Sequence, residues 1–150
     1  MDNTRILICY DGTTGADRAI EVAAALLGPR PAVVLDVGVP ITPTQSLASI
    51  ASVVPGQAFE DLNQEDALTR AQTGAEHAIR AGFDARARSE IAAPPWEGIV
   101  TVADEIGAAV IVIGSRGQSG ARELFNGSVS HDVAMHAGRP VLIVPPAEEH

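Results

Sequence analysis

Four glycines and several hydroxyl side chains follow one apolar run of the chain. The run Val110 to Ile113 leads into a loop with Gly114, Ser115, Gly117 and Gly120, and Gly127, Ser128, Val129 and Ser130 then open the next element. Glycines accept positive φ and let backbone N–H groups approach a ligand closely. Free N–H groups and serine hydroxyls at a helix start favour an anion. This spacing predicts a binding site for a phosphate chain.

Two common phosphate-binding motifs are excluded by the sequence. The glycine loop follows the fourth predicted strand, whereas a dinucleotide fingerprint would follow the first, where Asp11-Gly12-Thr13 stands instead. All ten basic residues are arginine, so a Walker lysine and Schiff-base catalysis are excluded as well. A tight connection without a ligand is the alternative, but it needs one or two glycines rather than four.

No residue pattern marks a catalytic centre. Ser128 has no evident His or Lys partner to activate it. His131 and His136 are five residues apart and do not share a helix face, which argues against a metal pair, and His77 is expected to face solvent. These observations favour a binding protein over an enzyme with a positioned base and acceptor site.

Composition narrows the class of protein. The chain has 150 residues, a net charge of −9 and one cysteine, Cys9, which lies in an apolar run and is expected to be a buried hydrophobe. The acidic excess argues against nucleic acid or an anionic membrane as a partner. No apolar run approaches the ~20 residues of a membrane span, and the N-terminus lacks a signal-peptide pattern. We therefore expect a cytoplasmic protein.

Strands and helices alternate along the chain. Short apolar runs predict strands over 6–10, 32–37, 110–113 and 141–144, and a polar, alternating run predicts an edge strand over 83–91. Helices are predicted from the start signals Thr14 and Asp17 to Leu27, over 58–81, from Pro94-Pro95 to Ile106, and from the Ser128 region to about Ala137. The segment 40–56 has no clean period, so a functional lid and a loose insertion both remain open.

The helix over 58–81 is expected to bury one apolar face. Helical spacing selects the residues Leu62, Ala71, Ala75, Ala78 and Ile79 as that face.

This alternation predicts one α/β domain spanning 1–150. We expect an open five-stranded parallel sheet, order 3-2-1-4-5, Rossmann-like, with helices on both faces. The first and fourth strands then lie side by side at the switch point, where ligands bind beyond the carboxyl ends. Asp11, Gly12 and Thr13 should meet the Gly114–Gly120 loop there. Asp11 either contacts that ligand or caps the first helix.

The loop also resembles a family signature. Gly114-x-x-Gly117, nine residues, then Gly127-Ser128 is similar to the G-2x-G-9x-G-[S/T] motif of the ATP-binding subgroup of universal stress proteins. Three further stretches also resemble that family: Tyr10-Asp11-Gly12-Thr13, Gly127 to His131 and Arg139 to Pro145. The resemblance covers nearly the whole chain and is weakest over 40–62.

The resemblance implies a homodimer that binds ATP with Mg²⁺. It assigns Asp11 to the nucleoside or metal side and the backbone of Val37 to adenine. Ribose and phosphates would be held by Gly114, Arg116, Gly117, Gly127, Ser128, Val129 and Ser130. A surface or subunit-interface position is the alternative for Arg116.

We therefore expect an ATP-binding stress-response regulator whose nucleotide-bound state controls conformation or docking of an unidentified protein partner. The alternatives are a slow ATPase or nucleotidyl- or phosphoryl-transferring enzyme, and a structural interaction protein with a vestigial pocket. The strand Val141–Val144 is an apolar sheet edge, so we expect it to pair across a two-fold axis in a homodimer.

Overall fold

The fold was analysed in a computed structural model, which describes residues 4–38, 56–115 and 127–147. Side chains are described over 4–38, 65–115 and 129–147. The predictions for the segment 40–55 and for Arg116, Gly117 and Gly120 lie outside the described residues. Within them, no helix is long and apolar enough to cross a membrane.

Five strands and four helices alternate through the described residues. Their order is β1 (Ile6–Cys9), α1 (Thr14–Leu27), β2 (Pro31–Gly38), α2 (Gly56–Ala81), β3 (Asp84–Ile91), α3 (Pro95–Ile106), β4 (Val110–Gly114), α4 (Gly127–His136) and β5 (Val141–Val144). The predicted element types are confirmed, with boundaries that differ by a few residues at most.

The strands form one parallel sheet in the order β3-β2-β1-β4-β5. The predicted order is therefore confirmed, and β3 and β5 are the two edges. Ile8 of β1 lies opposite Val34 of β2 on one side and Val112 of β4 on the other. This register brings the carboxyl ends of the three central strands to the same end of the sheet.

Each face of the sheet has its own apolar core. Ile6, Ile8 and Val34 pack with α1 and α2, whereas Leu7, Leu35 and Ile111 pack with α3 and α4. Alternate residues of a strand point to opposite faces, so continuous apolar runs are needed when helices cover both sides. The short unbroken runs in the sequence follow from this arrangement.

Helix ends are set by local chemistry. The hydroxyl of Thr13 accepts from the N–H of Ala16 (3.2 Å), so Thr13 is the N-cap of α1 and the predicted start signal Thr14 is the first helical residue. Helix α3 begins at Pro95, and Gly107 ends it with φ of 63°. A proline at the start and a glycine at the end are both as predicted.

The inner face of α2 differs from the prediction at one residue. Ala71, Ala75 and Ala78 are buried, but Ile79 is 54% exposed, so its assignment to the inner face is wrong. The face is completed instead by Ala67 and Gly74. Successive helical positions are rotated by about 100°, which places Ile79 beyond the stripe that Ala71, Ala75 and Ala78 define. The side chain of Leu62 is outside the described residues.

Candidate functional site

The carboxyl ends of β1 and β4 lie side by side, at the position where ligands of open parallel sheets bind in a crevice. The two strands are hydrogen-bonded neighbours, and the chain leaves them at Tyr10-Asp11 and at Gly114-Ser115. Gly114 pairs with Val144 in an extended conformation that any residue adopts, and the N–H of Ser115 donates to the carbonyl of Val144 (2.9 Å). The strand order thus brings the starts of the two predicted loops to one place.

Asp11 organises the turn between β1 and α1. Its Oδ1 accepts from the N–H of Thr13 (3.1 Å) and from the hydroxyl of Thr13 (2.6 Å). Because Thr13 provides the helix cap, the alternative that Asp11 itself caps α1 is wrong. Asp11 is only 5% exposed, and Oδ2 has no hydrogen-bond partner among the described residues.

Gly12 permits this turn. Its φ is 83°, a value that residues with a side chain rarely adopt. A Cβ atom on Gly12 would lie 3.5 Å from Cδ of Arg70, so the Arg70 side chain lies next to the turn.

A buried ion pair lies beside this turn, and sequence reasoning missed it. Asp36, near the end of β2, is fully buried and pairs with Arg70 of α2. Nε and Nη2 of Arg70 donate to Oδ2 (2.8 Å) and Oδ1 (3.3 Å) of Asp36. One signal was available in the sequence, since a carboxylate inside an otherwise apolar strand needs a partner.

Five further predicted site residues lie within the described part of the chain, in β2 and in the first turn of α4. Val37 is fully buried in β2 and its side chain joins the core under α3. Gly127 and Ser128 begin α4, and Val129 and Ser130 are buried in its first turn. The side chain of Ser128 is not described.

The thiol of Cys9 and the phenol of Tyr10, both buried next to the turn, have raised pKa values. Burial raises the pKa of Cys9, and the negative charges of Asp11 and Asp36 raise it further. Cys9 is therefore a protonated, buried side chain, as predicted. Burial and the hydrogen bond that Tyr10 donates to Asp17 (2.7 Å) raise the pKa of Tyr10.

Two histidines of the described residues contact neighbouring side chains. His77 lies between α2 and α1, with Nε2 3.3 Å from Glu21 and Nδ1 3.7 Å from Asp17, so the expectation that it simply faces solvent is wrong. The ring of His136 stacks on Trp96, with centroids 4.0 Å apart and planes 16° apart. Among the described residues, no three His, Cys, Asp or Glu side chains form a group that could hold a metal ion.

An open cavity of about 310 Å³ lies between the end of β3 and the start of α3. Its walls include Glu90, Glu97 and Thr101. Sequence reasoning did not mark this region, and none of the predicted site residues lines it.

The strand order defines a Rossmann-like α/β fold whose switch point lies between β1 and β4. The chain matches the family model described as "Universal stress protein family" over residues 2–145. It is 33% identical to the universal stress protein YxiE of Bacillus subtilis over 146 residues, which cover 93% of this chain and 97% of that protein. The chain belongs to the universal stress protein family.

Solved structures share the fold. The structure of MJ0577, a universal stress protein of Methanocaldococcus jannaschii, superposes with a TM-score of 0.73 at 22% identity and covers 97% of both chains. A universal stress protein in complex with cAMP has a TM-score of 0.60 at 25% identity and covers 93% of this chain and 95% of its own. A third, from Archaeoglobus fulgidus, holds dAMP; its TM-score is 0.58 at 22% identity, with 93% and 96% covered.

Proposed function

We propose that this protein binds ATP with Mg²⁺ and acts as a regulator whose bound nucleotide controls its conformation or its docking to a protein partner. The observation that carries the proposal is the meeting of the Asp11–Thr13 turn and the Gly114–Ser115 end of β4 at one edge of the sheet. The cAMP complex of a family member at 25% identity supports an adenine nucleotide as the ligand.

The proposed nucleotide lies across the crevice. Asp11 serves the nucleoside or metal side and the Val37 backbone meets adenine, close to the carboxyl ends of β1 and β2. The phosphates lie at the glycine loop and at the first turn of α4, where the helix dipole and free N–H groups favour negative charge. The residues proposed for ribose and phosphates are Gly114, Ser115, Arg116, Gly117, Gly120, Gly127, Ser128, Val129 and Ser130.

A regulator is favoured over an enzyme by the side chains around the crevice. Among the described residues, the one buried carboxylate in the turn, Asp11, is engaged by Thr13, and the other, Asp36, is paired with Arg70. In this proposal Oδ2 of Asp11 serves the nucleoside or metal side, so neither carboxylate is left as the base for an attacking water that phosphoryl transfer requires. Slow hydrolysis remains the second candidate and is measured directly by phosphate release.

Bound nucleotide gives the first test. Purified protein is denatured and its supernatant is analysed for adenine nucleotides, and ATP with Mg²⁺ is then titrated into nucleotide-free protein by calorimetry. We expect ATP in the supernatant or saturable binding in the titration. Absence of both would overturn the proposal and favour the vestigial pocket. Phosphate release above a few turnovers per minute would favour the enzyme.

Gly117→Val tests the position of the phosphates. A branched side chain in the glycine loop should block close backbone approach to phosphate without unfolding the sheet. We expect at least a ten-fold loss of ATP affinity, measured by calorimetry at equal thermal stability. Ala134→Val, at an exposed position of α4, is the matched control and should bind as the unaltered protein does. Unchanged affinity of the Gly117 variant would refute this placement.

We further propose that the protein is a homodimer formed through Val141–Val144. As an edge of the sheet, β5 has one side without a strand partner among the described residues, and Ile143 is 39% exposed there. The opposite edge, β3, carries Arg86, Arg88 and Glu90. Charges protect an edge from pairing, whereas an apolar edge invites it. The contrast supports β5 as the dimer edge.

A further inference from the structure

We propose that Arg70 is a nucleotide-binding residue, held in place by Asp36, and that it donates a hydrogen bond to a ribose hydroxyl. The inference rests on the proposed function and adds a residue of α2 to the site. Helix α2 carries none of the residues that the glycine motif or the β1–α1 turn contributes.

The guanidinium of Arg70 is positioned from one side only. Asp36 engages Nε and Nη2, and Asp36 is fully buried in a strand at the centre of the fold. Nη1 has no hydrogen-bond partner among the described residues, and the Arg70 side chain is 28% exposed. A guanidinium fixed along one edge presents its remaining N–H donors in a defined direction, at little further cost in side-chain entropy.

Arg70 lies against the turn that contains Asp11. A Cβ atom on Gly12 would be 3.5 Å from Cδ and 4.0 Å from Cγ of Arg70. Asp36 follows Leu35, whose partner in the neighbouring strand is Cys9, and Asp11 lies two residues beyond Cys9, so both acidic residues lie at the ends of β1 and β2. Arg70 therefore lies next to the β1–α1 turn, on the side of the site that the proposed function gives to the nucleoside.

The local charge selects a neutral group rather than a phosphate. Oδ2 of Asp11 has no hydrogen-bond partner among the described residues, whereas the guanidinium of Arg70 is already engaged by Asp36. A further anion would be repelled there. A hydroxyl fits, since it accepts from Arg70 and donates to the Oδ2 atom of Asp11. Ribose carries two adjacent hydroxyls, which match the donor of Arg70 next to the acceptor of Asp11.

The test compares ATP with 2′-deoxy-ATP and 3′-deoxy-ATP by calorimetry in the presence of Mg²⁺. Removing Arg70 alone would break the ion pair of the buried Asp36, which is strongly destabilising. The variant is therefore the double substitution Asp36→Asn with Arg70→Met, which removes both charges and keeps the side-chain volume. Arg88→Met is the matched control, because Arg88 is similarly exposed (31%) and pairs with Glu90 and Glu105 instead.

We expect at least one deoxy analogue to bind the unaltered protein about ten-fold more weakly than ATP, as for a lost hydrogen bond to a charged group. In the double variant, ATP affinity should fall about ten-fold, and the affinities for ATP and the deoxy analogues should differ by no more than about two-fold. Arg88→Met should keep both the ATP affinity and the preference for ATP over the deoxy analogue. Thermal unfolding checks that each variant is folded.

Other outcomes separate the two proposals. If the unaltered protein binds ATP but binds both deoxy analogues equally well, or if the double variant keeps its discrimination, the inference about Arg70 is wrong and the proposed function stands. If the unaltered protein binds no adenine nucleotide, the proposed function fails and the role of Arg70 fails with it.

Discussion

Cys9 lies in β1, in the interior next to the ends of the central strands. Burial and the charges of Asp11 and Asp36 raise its pKa, so the native protein keeps the thiol protonated at pH values where the unfolded chain loses the proton. The unfolded thiol has a pKa of about 8.5. The stabilising contribution is therefore complete below this pH and is lost as pH rises above it.

We expect the free energy of unfolding to fall between pH 8 and 9.5, with a contribution from Cys9 that approaches about 1.4 kcal/mol per pH unit. In Cys9→Ala, the Cys9 contribution to the slope of unfolding free energy against pH should disappear. The smaller side chain also changes the free energy of unfolding itself, but by the same amount at every pH. Urea unfolding at several pH values in this range measures both slopes. Equal slopes for the two proteins would contradict the assignment.

Gly74 is required by a close approach between helix and sheet. A Cβ atom there would lie 2.7 Å from Cγ of Tyr10 and 2.9 Å from Cγ1 of Val34, both in the core. The helix propensity of alanine would stabilise α2 by about 1 kcal/mol, but overpacking a rigid core costs about 1–3 kcal/mol. The clash should outweigh the propensity, because the ring of Tyr10 is buried and cannot yield easily.

Gly74→Ala should therefore lower the free energy of unfolding by about 1–2 kcal/mol. Chemical denaturation measures the change, and Gln72→Ala at an exposed position of the same helix is the control, which should be neutral or slightly stabilising. A Gly74→Ala variant that is more stable than the unaltered protein would show that α2 moves freely away from the sheet.

At the scale of elements, Arg139 joins three segments. Its Nη1 donates to the carbonyls of Ala103 (2.7 Å) and Ala108 (2.9 Å), and Nη2 donates to Asp104 (2.6 Å). The carbonyl of Ala103 also accepts from the N–H of Ala108 (3.0 Å), and a cation near the end of a helix interacts favourably with the helix dipole. Arg139 thus fastens the end of α3 to the connection between α4 and β5.

Arg139→Met should lower the free energy of unfolding by about 2 kcal/mol, since several hydrogen bonds to a charged group are lost. Arg18→Met is the control. Arg18 is bound through Nε to the carbonyl of Pro145 (3.0 Å) at an exposed position, and its loss should cost about 0.5 kcal/mol or less. Equal effects of the two substitutions would argue against a special role for Arg139.

At the scale of the molecule, the proposed dimer gives a prediction about association. Ile143→Arg places a charge on the β5 edge and should shift the protein from dimer to monomer at micromolar concentration, measured by sedimentation. Ile79→Arg, which changes a residue 54% exposed on α2, should leave the dimer intact. A monomeric unaltered protein, or an Ile143 variant that stays dimeric, would contradict pairing through β5.

The sequence was most informative where a pattern repeats over several residues. Continuous apolar runs of four or more residues identified β1, β4 and β5, and the polar alternation around Arg86 and Arg88 identified β3 as an edge. Helix ends followed from single residues such as Gly107. Ile79 was misplaced because a residue just beside an apolar stripe has almost the same spacing as one within it.

By itself, the sequence determined the element types, the order of the sheet and the glycine motif, because periodicity, turn chemistry and crossover handedness act over short stretches of chain. Only the tertiary structure decided that Asp36 pairs with Arg70, that both lie beside the turn of Asp11 and Gly12, and that Tyr10 needs Gly74 opposite it. Those partners are tens of residues apart in sequence. Their meeting depends on how α2 packs against the sheet, and no local pattern encodes that distance.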